Sequence, residues 1–284
     1  MQTSQIAIIG TEFSGKTVLT VVLAKKLTTK VNKVWLDPKN TATINFVEKT
    51  WNKLSHGGWA QSTPQSKSDE LRWNLHVGKR ECPMRMLDFS GQVLRYLFRD
   101  DGADRSTPTA KEQKLIDYIQ NSTILLVLVN LRDFLRETDE DKIIESGAVL
   151  KTVLDQVKQS NVKRQICFVF SAYDLYKEHI EKTYGTIEKF VRKELPYLYN
   201  AHVDGKSVRF FPVAAVANTE AQVHEDGKTD RVPAPDFNSE GLEPLIYWLA
   251  KAVVRDTKRK RWDEIQTTIK TIFRKSKSIN AKES

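Results

Sequence analysis

Short apolar runs alternate with stretches of helical periodicity along most of this chain. Ile6–Ile9 and Ile124–Val129 are continuously apolar, which is typical of strands buried on both faces of a sheet. The alternation of such strands with helices favours an α/β fold in three layers, in which helices cover a mainly parallel sheet. The predicted strands are Gln5–Ile9, Glu70–Val77, Pro83–Leu87, Thr123–Val129, Gln165–Phe170 and Val208–Val213, and the predicted helices are Gly15–Leu27, about Thr43–Leu54, Glu112–Gln120, Asp141–Lys158, Thr186–Leu198 and Leu242–Val254.

One pair of predicted strands departs from the parallel pattern. Leu71, Trp73, Leu75 and Val77 alternate with polar residues, and the turn sequence at 78–81 can reverse the chain into the next strand. The pair predicts an antiparallel hairpin at the edge of the sheet, and hence a six-stranded, mostly parallel sheet with one antiparallel edge strand. Three segments rich in turn-forming residues are predicted to be long loops, mobile or functional: Ser55–Asp69, Arg99–Thr109 and Ala217–Glu240.

The segment Gly10–Thr17 reads GTEFSGKT and stands between the first predicted strand and the first predicted helix. It is a phosphate-binding loop in the setting that the motif requires. Its glycines let backbone N–H groups converge on phosphates, Lys16 supplies a cation, and the Thr17 hydroxyl is a ligand for Mg²⁺. A nucleoside triphosphate is the predicted ligand, and the residues of this loop predicted to contact it are Gly10, Glu12, Phe13, Ser14, Gly15, Lys16 and Thr17.

Composition and the longest apolar runs limit the class of protein and its expected location. The 284 residues are 40% hydrophobic and 29% charged, as in ordinary globular proteins, which excludes disorder throughout. The longest apolar run, Ile124–Val129, is too short to cross a bilayer, and Met1–Ile9 lacks the features of a secretory signal. No transmembrane segment and a cytoplasmic location are therefore expected. Cys82 and Cys167 show no metal-like spacing, so each is expected to be a buried, reduced and non-catalytic thiol.

A second motif, Asp88-Phe-Ser-Gly91-Gln92, follows the strand that closes the predicted hairpin. An acidic residue at the end of such a strand can hold Mg²⁺ through water, the Gly91 N–H can approach a γ-phosphate, and Gln92 can orient an attacking water. Taken alone, the same residues are an ordinary turn after a strand. Their position downstream of a phosphate loop favours the functional interpretation.

In this order, the phosphate loop, the hairpin and Asp-x-x-Gly-Gln resemble the Ras-like P-loop GTPases of the translation-factor-related class. The resemblance covers about Gln5–Arg255, and the segment between Lys16 and Asp88, with an added helix and Gly-Gly-Trp-Ala-Gln-Ser-Thr-Pro, is most similar to the bacterial double-GTPase families of conflict and signalling systems. It implies a three-layer P-loop fold over residues 1–255, a basic tail over 256–284, and hydrolysis of GTP to GDP with Mg²⁺.

The resemblance also implies a threonine, in a segment before the hairpin, that meets Mg²⁺ and the γ-phosphate only in the triphosphate state. Thr63 is the choice, because it stands in a polar loop just ahead of the hairpin; an ordinary Thr-Pro turn is the alternative. Thr43 is more simply a helix-start residue. The implied metal ligands are then Thr17, Thr63 and Asp88, and the implied catalytic residues are Gln92, Lys16 and Thr63.

The base-recognition box of such GTPases, normally Asn/Thr-Lys-x-Asp, stands here as Ser171-Ala172-Tyr173-Asp174. Asp174 can accept hydrogen bonds from the N1 and N2 hydrogens of guanine, which adenine lacks, or it can merely cap the following helix. Ala172 replaces the lysine whose stem usually packs on the purine, so lower affinity or selectivity for the base is expected unless Tyr173 or another loop residue covers it. In the weakly matching fifth box, the N–H of Ala214 or Ala215 can reach the guanine O6.

Two further features bear on turnover and partners. The Glu12 carboxylate would repel a γ-phosphate unless its side chain turns to solvent or pairs with a basic residue. If it does neither, slow hydrolysis is expected. No arginine finger is assignable from sequence, so a protein activator or effector is expected. Arg255–Ser284 carries +6 of the net charge of +9. With its apolar stripe, this tail predicts either a basic amphipathic helix that contacts anionic membrane or nucleic acid, or a helix packed on its own domain.

Three functions therefore stay open from the residues: a GTP-hydrolysing switch, a small-molecule kinase, and a nucleotide-binding scaffold without turnover. Gln92 and the hairpin favour the switch, because no arginine-bearing kinase lid is found in the sequence. The altered Asn/Thr-Lys-x-Asp box favours the scaffold.

Overall fold

A computed structural model describes residues 5–10, 13–28, 33–60, 70–87, 109–135, 140–159, 164–204, 208–223 and 229–257. Its strands are β1 (Ile6–Gly10), β2 (Val34–Pro38), β3 (Glu70–Val77), β4 (Arg80–Leu87), β5 (Ile124–Asn130), β6 (Gln165–Ser171), β7 (Val208–Pro212), β8 (Thr219–Val223) and β9 (Thr229–Pro233). Its helices are α1 (Lys16–Lys26), α2 (Thr41–Ser55), α3 (Ala110–Gln120), α4 (Arg132–Leu135), α5 (Glu140–Gln159), α6 (Tyr173–Thr183), α7 (Ile187–Glu194), α8 (Pro196–Asp204) and α9 (242–257).

Within the described residues, one sheet of seven strands runs in the order β2-β3-β4-β1-β5-β6-β7. Strands β4, β1, β5, β6 and β7 are parallel, whereas β3 pairs antiparallel with both β2 and β4. The three-layer, mostly parallel fold is therefore confirmed. The predicted number of six strands is wrong, because β2 adds a seventh strand outside β3 and moves the antiparallel strand in from the edge.

The alternating side chains of the central strands pack into two layers of core. Ile6 and Ile8 of β1 face the layer that contains α1, α2 and α9, and Ala7 and Ile9 face the layer that contains α3, α5, α7 and α8. This two-sided burial explains the continuous apolar runs, because both faces of these strands are covered by helices. In the hairpin, Leu71, Trp73 and Leu75 are buried as their alternation predicted.

Several element predictions need correction. The predicted helix Thr186–Leu198 is divided into α7 and α8, since Pro196 has no N–H to continue a helix and is well suited to begin one. Thr43 does stand in the first turn of α2, where its N–H is capped by the Asn40 side chain. The predicted loop Ala217–Glu240 contains the hairpin β8–β9, which forms a separate two-stranded sheet.

The last described helix, α9, is held on the sheet by buried polar contacts. The Thr123 hydroxyl donates to Asp256 Oδ2 at 3.0 Å, and the Gln165 side chain donates to the Ala252 carbonyl at 3.0 Å. Both cysteines are buried, and burial raises the pKa of Cys167 well above its usual range. Across these ranges, no helix has the length and apolar character needed to cross a membrane. The basic tail from residue 258 onward lies outside the described residues.

Candidate functional site

The phosphate loop lies at the carboxyl end of β1, in the middle of the sheet. β1 ends at Gly10 and α1 begins at Lys16. A Cβ at Gly10 would come within 2.6 Å of the Ser14 Oγ and 2.8 Å of the Leu128 carbonyl oxygen. Glycine is required here because any side chain would push the loop away from β5.

Two residues of the loop adopt the left-handed backbone conformation, Phe13 with φ 57° and Gly15 with φ 80°. For phenylalanine this conformation is uncommon, and its ring is 75% exposed. The Phe13 carbonyl accepts a hydrogen bond from the side-chain amide of Asn130, at 3.1 Å. Asn130 also accepts from the N–H of Arg132 through its Oδ1. The last residue of β5 is thus hydrogen-bonded to the phosphate loop.

Lys16 and the start of α1 form a positive end to the loop. The Lys16 ammonium is buried and donates to the Gly10 carbonyl at 2.9 Å. Gly15 caps α1 without a side-chain hydrogen bond, and the first turn contains no acidic residue. A helix start without a side-chain cap and with a nearby ammonium is suited to an anion. This donor set fits the phosphates of a nucleotide.

For Mg²⁺, the described residues offer one ligand of the predicted set. Thr17 stands in the first turn of α1 and is half-buried, so its hydroxyl can complete a coordination shell that phosphate oxygens share. Among the described residues, no group of three or more His, Cys, Asp or Glu side chains forms a metal site. The predicted residues Glu12, Thr63, Asp88, Gly91 and Gln92 lie outside the described residues.

The segment Ser171–Asp174 lies beside the phosphate loop. A Cβ on Gly15 would stand 3.8 Å from the Cβ of Ser171, and the Ser171 hydroxyl donates to the Val129 carbonyl at 3.2 Å. Ala172 is left-handed, with φ 57°, and Asp174 lies in the first turn of α6. Two segments predicted separately, 10–17 and 171–174, therefore meet at the carboxyl edge of the sheet.

The charge on Asp174 is set by its surroundings. Burial raises the pKa of its carboxyl, hydrogen bonds from its own N–H and that of Leu175 lower it, and the nearby charges of Glu240 and Arg231 act in opposite directions. Burial has the largest effect, so the net shift is upward. The neighbouring phenol of Tyr173 also has a raised pKa, chiefly because of burial.

The loop after β7 carries the fifth-box residues. Ala214 is buried and exchanges both backbone hydrogen bonds with Glu240, at 3.0 and 2.8 Å. Its N–H is therefore used within the fold, whereas Ala215 is half-buried at the surface of the same loop. Of the two candidate donors to a guanine O6, the geometry favours Ala215.

A cavity of about 450 Å³ opens beside Asp174. One wall is the start of α6, and the other is formed by the base of the hairpin β8–β9 and the residues that flank it. The residues that line the cavity are Asp174, Leu175, Ala217, Asn218, Thr219, Glu220, Arg231, Ala234 and Asp236.

The part of the chain that contains the phosphate loop matches one family. The model of the Double-GTPase 1 family (DO-GTPase1) matches residues 7–153, more than half of the 284-residue chain. The chain belongs to the Double-GTPase 1 family. It is thus a Ras-like P-loop GTPase of the double-GTPase class, and its family ligand is a guanine nucleotide.

Solved structures similar to this GTPase are distant in sequence. The small COPII coat GTPase Sar1 of Encephalitozoon cuniculi, in complex with GDP, is 15% identical with a TM-score of 0.42, covering 92% of this chain and 84% of that one. The putative nucleolar GTP-binding protein 1 of Plasmodium falciparum is 10% identical with a TM-score of 0.44, covering 95% and 96%. No curated protein sequence matches the chain.

Two features of the site were missed in the sequence. Asn130 follows six apolar residues of β5, and a polar residue at the carboxyl end of a buried strand is the signal that points to it. Arg231 and the hairpin around it were missed because Thr219–Val223 has few apolar residues, so its alternation gives no strand signal.

Proposed function

We propose that this Double-GTPase 1 protein is a molecular switch that binds GTP and hydrolyses it to GDP with Mg²⁺. The observation that carries the proposal is that the phosphate loop and the Asp174 segment lie side by side, since a Cβ added to Gly15 would stand 3.8 Å from the Cβ of Ser171. A single nucleotide spans these two segments, with its phosphates at the start of α1 and its base beside Asp174.

At the phosphate end, the ammonium of Lys16 leaves the Gly10 carbonyl to pair with the terminal phosphates, a stronger, charge-assisted partner. Thr17 would supply its hydroxyl to Mg²⁺, and the bound metal would supply positive charge beside the phosphoryl group that is transferred. Asp88, Gly91 and Thr63 are proposed to complete this end, and Gln92 to orient the attacking water. These roles rest on the order of the motifs in the sequence.

At the base end, Asp174 accepts hydrogen bonds from the N1 and N2 hydrogens of guanine. The carboxylate must be ionised to accept both. Backbone N–H groups in the first turn of α6 favour the ionised form, whereas burial, the larger effect, raises the pKa of the carboxyl. Adenine offers no donors at these positions, so GTP is preferred over ATP. Ser171, Tyr173 and Ala215 are proposed to line the same site, and Ala214 to support it through its bonds to Glu240.

The cellular role is proposed from family membership. Double-GTPase families belong to bacterial conflict and signalling systems, and we assign this chain to such a system in the cytoplasm. Because no arginine finger is assignable from the sequence, we propose that a protein partner supplies this positive charge and speeds hydrolysis.

A second candidate, a scaffold that binds nucleotide without turnover, is favoured by one observation. Ala172 has replaced the lysine of the base-recognition box, which reduces the contacts that hold the base. Two measurements separate the candidates: titration with GTP, GDP and ATP with and without Mg²⁺, and single-turnover hydrolysis of bound GTP. Turnover supports the switch. Mg²⁺-dependent binding without turnover, alone or with a partner, supports the scaffold, and binding unaffected by Lys16→Ala overturns both.

A further inference from the structure

The hairpin β8–β9 places an arginine across the cavity from Asp174. Among the described residues that line this cavity, Arg231 is the one with a basic side chain. The hairpin lies outside the residues 7–153 that match the family model, so family membership gives it no role. Ala172 has no long side-chain stem to cover the face of a base held by Asp174.

The register of the hairpin places Arg231 on the same face as Thr219, and both residues line the cavity. Ala221 stands directly opposite Arg231, and Thr219 stands two residues away on the same strand as Ala221. Side chains two apart in a strand share a face, so Thr219, Ala221 and Arg231 lie on one face of the hairpin. The small Ala221 leaves room for the guanidinium, and Arg231 donates from Nη1 to the Thr219 hydroxyl at 3.3 Å.

The hairpin is also fixed to the rest of the domain. The indole N–H of Trp59 donates to the Arg231 carbonyl at 2.6 Å, and the N–H of Ala234 donates to the Asn218 carbonyl at 3.1 Å. A Cβ added at Gly57 would lie 3.5 Å from the Pro233 carbonyl oxygen and 3.9 Å from the Val232 side chain, so β9 also lies close to the segment after α2. The wall that carries Arg231 is therefore anchored on both sides.

We infer that Arg231 covers the face of the nucleotide base held by Asp174, and so replaces the lysine stem that Ala172 has lost. This inference rests on the proposed function. A planar guanidinium stacks on aromatic rings, and a flexible ammonium does so less well. Stacking contacts the face of the ring and not the edge that distinguishes one purine from another. Arg231 therefore contributes to binding of any purine nucleotide, whereas Asp174 selects guanine.

The test compares equilibrium binding of GTP, ATP and xanthosine triphosphate to full-length variants. Arg231→Ala is expected to raise the Kd roughly three- to tenfold for all three nucleotides alike. Arg231→Lys should restore little of the affinity, and Arg231→Trp, which offers another flat face, should restore most of it. The Trp59 bond is made to a backbone carbonyl, so these variants keep it. Arg192→Ala is the matched control, since Arg192 is exposed on α7 and stacks over Tyr199 at 5.7 Å, away from the cavity.

The outcomes are distinct for the two proposals. Wild-type affinity in a folded Arg231→Ala variant, with guanine preference still dependent on Asp174, overturns the role of Arg231 and leaves the proposed function standing. A loss confined to GTP also overturns it, because Arg231 would then read the edge of the base. Wild-type protein that binds none of the three nucleotides overturns the proposed function, and with it this inference.

Discussion

The side-chain amide of Asn130 donates to the backbone carbonyl of Phe13 at 3.1 Å, and so ties the end of β5 to the middle of the phosphate loop. Phe13 sits in the left-handed conformation with its ring exposed, and a bulky residue adopts this conformation only where its surroundings impose it. The bond from Asn130 is one such constraint. We expect this bond to help hold the loop in the conformation that binds phosphates.

Replacing Asn130 by alanine is expected to weaken GTP binding by about fivefold, near 1 kcal/mol, since one hydrogen bond that orders the loop is lost. The measurement is the Kd for GTP and for GDP, with thermal unfolding of the free protein beside it. Asn130→Asp is the matched control, because it keeps the acceptor to the Arg132 N–H but removes the donor to Phe13 and adds a negative charge. Affinity unchanged in both variants would show that the loop keeps its shape without this bond.

The phosphate-binding part of this site could be predicted from sequence because its residues are contiguous in the chain. The phosphate loop is a contiguous run, and its glycines and Lys16 are where the motif required them. β2 could not be predicted, since Val34–Pro38 is short, ends in proline, and is stabilised by pairing with β3 across a long separation in sequence. Arg231 depends on a similar long-range arrangement, in which a mostly polar hairpin is brought to Asp174 by the fold.

Thr17→Ala is expected to reduce the dependence of GTP binding on Mg²⁺, because the hydroxyl proposed as a metal ligand is gone. Thr17 lies in the first turn of α1, and alanine is a good helix former. We therefore expect the variant to keep its fold. Titration of GTP at a series of Mg²⁺ concentrations measures the effect. Thr17→Ser, which keeps the hydroxyl, should behave as wild type; equal Mg²⁺ sensitivity in all three proteins would remove Thr17 from the metal site.

Asp174→Asn is expected to exchange the base preference. An amide in place of the carboxylate presents a donor to the base edge, so GTP binding falls by about tenfold or more while xanthosine triphosphate binding is kept or improved. The wild-type preference for GTP over ATP should also decline as the pH falls, since burial raises the pKa of Asp174 and a protonated carboxyl cannot accept both bonds. Because protonation of the phosphates affects GTP and ATP alike, its effect is removed when the ratio of the two affinities is compared.

Two truncations separate the basic tail from the helix it follows. Removal of residues 258–284 should leave the unfolding midpoint and GTP affinity near wild type, and abolish any salt-sensitive binding to single-stranded oligonucleotides or anionic vesicles. Removal of residues 255–284 also takes Asp256 from its buried partner Thr123, and should cost about 1–3 kcal/mol of unfolding free energy. Equal loss of stability in both truncations would mean that the tail itself packs on the domain.

Gln92→Leu is expected to slow single-turnover GTP hydrolysis by about tenfold or more, which corresponds to roughly 1.4 kcal/mol of activation free energy. The affinity for GTP should change little, because the carboxamide is proposed to orient water in the transition state and to touch the bound nucleotide only weakly. Gln92→Glu is the matched control, since it keeps the length of the side chain while removing its donor. A wild-type rate of hydrolysis in Gln92→Leu would mean that another residue orients the attacking water. If wild-type protein shows no turnover either, the comparison moves to protein with its activating partner, and absence of turnover there as well would favour the scaffold.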